Sequence, residues 1–186
     1  MDPIALLERA GEFYLSRLEA VTAEAWDNST PCPGWTVRVV AAHIMNGLAT
    51  IPPLLAREPV DPAERTRDNL GDNPVGSARA ALASALEALR QPGTLDAMVN
   101  APAGHLPGRA FATIRAADTV IHTWDMTTGA GIDSTIPGEL VQAVAATSAP
   151  QVLEGGRAAG VFGPPMEVPS DADPQAQLLA AYGRGA

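Results

Sequence analysis

Residues 116–129 read AADTVIHTWDMTTG. The stretch carries Asp118, His122 and Asp125, spaced four and then three residues apart. At roughly 100° per residue of helix, these three side chains project from one face. A carboxylate and an imidazole one turn apart can close on a single divalent metal ion. The chain has only 3 histidines, so few places can form such a site. The segment reads as part of a helix running from about residue 108 to 128, with Gly129 as its C-cap.

The bulk composition suits a helical setting for this stretch. The 186 residues suit one domain, 1–186. Hydrophobic residues make up 46% but aromatics only 4%, which favours closely packed helices over a sandwich of strands. The net charge of −9 and the scattered basic residues argue against nucleic acid or an anionic membrane as partner. A single cysteine, Cys32, excludes a disulfide within the chain and fits a reducing compartment. The N-terminal residues lack the pattern of a signal peptide, and no long apolar run predicts a membrane span. A cytoplasmic location is the expectation.

Reading from the N-terminus, Asp2 and Pro3 open a first amphipathic helix that continues to about Val21. Residues 26–35, WDNSTPCPGW, form a structured turn, with both tryptophans expected to anchor it in the core. Thr36 is a good N-cap for a second helix with an apolar stripe through Val37, Val40, Ala41, Ile44, Leu48 and Ile51. His43 lies on the flank of that stripe, a position that can look into a cleft beside the core, and Asn46 follows one turn later. Pro52 and Pro53 are expected to end this helix, and residues 59–74 to form a long mobile connection. A third helix spans 75–89. Residues 94–107 are the least helical part, a short β-hairpin or an extended crossover before the helix of the opening stretch. A fifth helical segment runs from 138 to about 149, an extended stretch from 155 to 169, and a short final helix from 174 to 182. The fold class is all-α in the main, built as a four-helix bundle.

Bundles place metal sites between side chains of facing helices. His43, Asp118 and His122 would supply two imidazoles and one carboxylate, leaving a position for water or substrate. Zinc is the leading candidate, with nickel, iron and manganese the others, because ligand type alone does not select among them. The bland alternative is an exposed i, i+4 pair that adds a few tenths of a kcal/mol to its helix.

Two blocks then narrow the choice. Residues 29–44, STPCPGWTVRVVAAHI, and residues 116–131, AADTVIHTWDMTTGAG, resemble hallmarks of the mycothiol-dependent maleylpyruvate isomerase N-terminal-domain family, within the DinB-like superfamily. Residues 162–186 resemble the ending of a compact metal-binding branch. The resemblance implies a DinB-like bundle of four main helices with a divalent metal in its cleft. It implies His43, Asp118 and His122 as ligands. The isomerase carries Glu where Asp118 stands. The shorter side chain leaves two roles open: direct ligand, or a group that ligates through water or orients His122. Val39 also replaces an acidic residue usual there.

The residues after Gly131 are too few for the isomerase's additional C-terminal domain. The expectation is therefore the family's class of chemistry, and not maleylpyruvate isomerisation itself. The implied function is a metal-dependent thiol transferase, or a thiol-assisted enzyme acting on a small electrophile with a low-molecular-weight thiol of the mycothiol type. The alternative is a metal- or small-ligand-binding protein without turnover, in stress response or regulation. Bundles of this sort also pair as homodimers. Asn46, Arg115 and Asp125 are candidate substrate-binding residues, each beside a plainer role. Asn46 is equally a helix-surface residue and Arg115 equally an exposed ion-pair partner. Asp125 is better read as structural, bonding a turn near the 26–35 loop. Cys32 shows no local base to activate it and reads as turn packing. His105 reads as a surface-loop residue, and the Arg65–Arg67 neighbourhood as a solvated face.

Overall fold

The computed structural model describes residues 1–101, 104–158 and 163–185, and divides into two compact units, Met1–Thr135 and Ile136–Ala186. The first unit is a bundle built from α1 (Pro3–Leu18), α2 (Val37–Ala49), α4 (Pro74–Leu89) and α5 (Gly108–Ala130). Helices α1 and α2 each pack against both α4 and α5, closing a ring of four. Leu6, Leu7, Tyr14, Ile44, Leu48, Leu89 and Phe111 are fully buried in it. Buried positions recur every three or four residues, as at Leu7, Ala10, Tyr14 and Leu18 in α1 and at Ala78, Leu82, Ala85 and Leu89 in α4, giving each of these helices a buried stripe.

Local signals set most helix starts. The Asp2 carboxylate accepts from the amides of Ile4 and Ala5, with Pro3 in the first turn. The Thr36 hydroxyl accepts from the amide of Val39, so α2 is capped without an acidic residue at position 39. Asn73 caps α4 in the same way. Helix α1 stops at Leu18, one turn before the expected end near Val21.

Helix α2 ends at Ala49, just before Pro52 and Pro53, as expected, but the two prolines are not in a loop. They sit in the first turn of a short helix, α3 (Ile51–Leu55), where missing amide hydrogens cost nothing. The C-cap of α5 is Gly131, in the left-handed region at φ 67°, and not Gly129, which the helix runs through. Residues 59–74 lead from α3 into α4 as a long connection, as expected. They contain a 3₁₀ turn, Pro62–Thr66, that packs on α2.

Between α4 and α5 the chain forms a hairpin of β1 (Met98–Ala101) and β2 (Gly104–Pro107), paired antiparallel with Val99 opposite Leu106. The hairpin packs against α5, and β1 also against α3. The second unit contains α6 (Gly138–Thr147), α7 (Pro150–Ala158) and α8 (Pro174–Ala181), with α6 packed on α8. The last four residues of α7, 155–158, occupy positions expected to be extended, and residues 159–162 of that stretch lie outside the described residues. Within the unit the Ser148 and Tyr182 hydroxyls lie 2.8 Å apart, and the Arg157 guanidinium donates to the carbonyl of Ala181. Among the described residues no helix is long and apolar enough to cross a membrane.

Candidate metal centre

Helices α2 and α5 pack against each other and bring His43 and His122 together, with ring centroids 4.7 Å apart. Asp118, one turn before His122, lies between them. Its carboxylate oxygens are 3.5 Å from Nε2 of His43 and 3.8 Å from Nε2 of His122. Ligands held at about 2.1 Å in a tetrahedron are about 3.4 Å apart, so this cluster is spaced for one ion. The single methylene of Asp118 therefore spans the distance to both imidazoles.

His43 is buried, with 4% of its surface exposed. Its Nε2 lies near Asp118 without the alignment of a hydrogen bond, and it has no hydrogen-bond partner among the described residues. A buried polar atom with no partner carries an energetic cost, and a cation at this point would remove it. Burial alone would raise the Asp118 carboxyl. The charges of Arg115 and His43, aided by His122, outweigh it and hold the group well below the usual carboxylate range. Arg115 sits one turn before Asp118, with Nη2 3.5 Å from its carboxylate.

The other imidazole nitrogens are held from behind. Nδ1 of His43 lies 3.1 Å from the backbone carbonyl of Arg65. Nδ1 of His122 lies 3.0 Å from the Asp125 carboxylate, which is completely buried. Cys32 donates its S–H to the same carboxylate oxygen at 3.1 Å, with its sulfur 3.6 Å from Nδ1 of His122. Cys32, His122 and Asp125 also bring ligand-type atoms close enough for an ion. Their separations of 3.0 and 3.1 Å are those of hydrogen bonds, shorter than ligand spacing around a metal. The first cluster is the better cation site.

Trp35 roofs the cluster. Its ring stacks at 27° on His122 and tilts over His43, at centroid distances of 5.9 and 5.0 Å. The Arg65 guanidinium lies over the Trp35 ring at 5.6 Å. The two tryptophans are thus not the core anchors of the 26–35 turn. Both are only partly buried, and Arg38 lies over Trp26. Cys32 and Val37 are the buried residues there instead.

The remaining candidates fall into distinct places. Asn46 is buried and gives its amide hydrogens to the carbonyls of Glu64 and Arg67. Asp125 lies behind His122 and accepts from Cys32 of the 26–35 turn. His105 pairs with Asn100 across the hairpin. Arg67 pairs with Glu64 and Asp61 at the surface, whereas Arg65 covers Trp35. Trp35, the Arg65 carbonyl and the Cys32–Asp125 pair escaped sequence reasoning. The available signal was a cysteine and a tryptophan in one rigid turn, with no indication of what the turn faced.

Residues 7–127 match the mycothiol maleylpyruvate isomerase N-terminal domain, and the chain belongs to that family. Two uncharacterized proteins from two strains of Mycobacterium tuberculosis are each 30% identical over 187 residues, covering 99% of this chain and 98% of theirs. Two crystal structures of the mycothiol-dependent maleylpyruvate isomerase, one a histidine-to-alanine mutant, superpose with TM-scores of 0.63. They are 20% and, for the mutant, 19% identical, and the match covers 77% of this chain and 67% of theirs. That likeness is one of fold: a DinB-like helical bundle.

Proposed function

We propose that His43, Asp118 and His122 hold a divalent metal, zinc first among the candidates, at which a low-molecular-weight thiol of the mycothiol type binds for transfer to, or assistance in converting, a small electrophile. The observation that carries this is the buried Nε2 of His43, which makes no aligned hydrogen bond and is set at metal-ligand spacing from Asp118 and His122. Family membership supports the thiol. When bound, such a metal lowers the pKa of a coordinated thiol and orients its sulfur.

The chain's own residues then have separate tasks. The Arg65 carbonyl accepts the Nδ1 proton of His43, and Asp125 accepts that of His122, so both Nε2 atoms face Asp118. Two imidazoles and one carboxylate leave room for an exogenous ligand. Trp35 excludes water from one side of the imidazoles. Arg115, beside Asp118, balances its charge and offers a cation to an anionic group on the electrophile. The donor set and the partly exposed His122 suit an exchangeable ligand better than a sealed structural ion.

The test is metal analysis of protein purified without a His tag, followed by Co(II) substitution and titration with thiol. The expected results are one Co(II) per chain, binding lost in His122→Ala, and a change in the Co(II) spectrum on adding thiol. Absence of metal affinity would sink the metal reading. A Co(II) spectrum indifferent to every thiol would leave a metal-binding protein without thiol chemistry.

A further inference from the structure

We propose that Asn46 is a positioning residue: it fixes the segment 62–69 across α2 so that the Arg65 carbonyl orients His43. The inference rests on the metal-site reading above and deepens it.

The segment lacks the usual means of staying in place. Its 3₁₀ turn, Pro62–Thr66, has no buried residue, so apolar burial does not hold it. Polar bonds to α2 do. Asn46 lies one turn after His43 on α2 and is 2% exposed. Its Nδ2 is 2.6 Å from the Glu64 carbonyl and 2.8 Å from the Arg67 carbonyl. Two carbonyl oxygens can only face the amide's NH₂ end, which fixes the side-chain orientation. The Asn46 oxygen then accepts from Nδ2 of Asn69, which also donates to the Glu64 carboxylate.

The two carbonyls held by Asn46 bracket Arg65. Of the two carbonyls between them, that of Arg65 is the one 3.1 Å from Nδ1 of His43. A carbonyl only accepts, so Nδ1 of His43 carries a proton, and Nε2 is the nitrogen that faces Asp118 and His122. Asn46 and His43 thus grip the same short segment from one helix. Arg38 of α2 also binds the Asp68 carboxylate at 2.6 Å, near the end of the segment, and the Arg65 side chain lies over Trp35. Both amide hydrogens of Asn46 are committed to this clamp, so it has none for a substrate. The residue acts on the metal through the segment and through His43.

The test compares wild type with Asn46→Ala and with Asn46→Asp, which is near-isosteric but has no donors when ionised. Two readouts are used: Co(II) titration of the apoprotein, and NMR of the apoprotein for the His43 Nδ1 proton and amide exchange in 62–69. Removing an outer partner of a metal-ligating histidine weakens affinity about 10–100-fold. We expect both variants to bind Co(II) at least about tenfold more weakly, to lose the slowly exchanging Nδ1 proton and to exchange faster across 62–69. Exchange in the rest of α2 should hold. Affinity within about twofold of wild type, or weakened binding with the Nδ1 proton retained, would overturn the proposal. If wild type binds no Co(II), the metal reading fails, and the Nδ1 proton and exchange data still decide whether Asn46 positions His43. If neither Asn46 variant folds, Asn69→Ala at an exposed position carries the test. It should speed exchange across 62–69 and weaken Co(II) about threefold, a smaller loss than for a direct outer partner; no change in either overturns the clamp.

Discussion

Replacing Gly129 by alanine sets two known effects against each other. Gly129 lies in the last turn of α5, where alanine is worth about 1 kcal/mol more than glycine as a helix former. A Cβ placed there would lie 2.7 Å from the Thr30 methyl, 2.8 Å from the Ser29 carbonyl oxygen and 3.1 Å from a Val37 methyl. The methyls can shift. The carbonyl cannot shift cheaply, because its loop is tied at several points. Ser29 bridges Thr36, the Thr30 amide donates to Trp35, and the Val37 amide donates to Asn28. Asn28 in turn donates to the carbonyl of Gly129 itself at 3.3 Å. Overpacking of this kind costs about 1–3 kcal/mol, and a fixed carbonyl puts it in the upper part of that range. The net expectation for Gly129→Ala is a loss of about 1–2 kcal/mol, read as a lower urea midpoint followed by tryptophan fluorescence. Adding Thr30→Ser removes one clashing methyl and should recover only part of the loss. The displaced loop carries Cys32 and Trp35, so the Co(II) spectrum should change as well. A Gly129→Ala protein as stable as wild type, or more so, would falsify the claim that α5 and the 29–37 loop touch at this residue.

Further substitutions probe the same surroundings. Asp125→Asn keeps the shape but removes the charge behind His122, and should weaken Co(II) binding about tenfold; calorimetric titration measures it, and an unchanged affinity would mean that the carboxylate does not tune His122. Cys32→Ala should lower stability by about 1 kcal/mol through loss of its bond to Asp125, while leaving Co(II) affinity within about threefold. A hundredfold drop, or a thiolate charge-transfer band in the wild-type Co(II) spectrum, would move the ion to the Cys32–His122–Asp125 cluster. Tyr14→Phe deletes a buried hydroxyl that donates to the Ala41 carbonyl at 2.8 Å, tying α1 to the helix of His43. It should cost about 0.5–1.5 kcal/mol in urea unfolding without altering metal affinity.

Some of this protein is settled by chemistry that neighbours in sequence can supply. Asp2 with Pro3, and Thr36, mark helix starts because a cap needs only a side-chain oxygen and amides two or three residues on. The placing of Asp118, His122 and Asp125 on one side of α5 follows from helical periodicity. The same periodicity puts Asn46 beside His43. What these residues face is a different matter. The Arg65 carbonyl lies 22 positions from His43, and the Cys32 sulfur 93 positions from Asp125. A backbone carbonyl has no sequence signature, and a cysteine in a proline-rich turn looks the same whether or not a buried carboxylate lies beside it. Pro52 and Pro53 show the same limit, since a missing amide hydrogen permits either the end of one helix or the first turn of the next. Local spacing determined which side chains share a face. Only the packing of α2 against α5, and of segment 62–69 across α2, decided that those faces meet as one cluster with both Nε2 atoms turned inward. Those contacts depend on distances between helices that no local interaction sets.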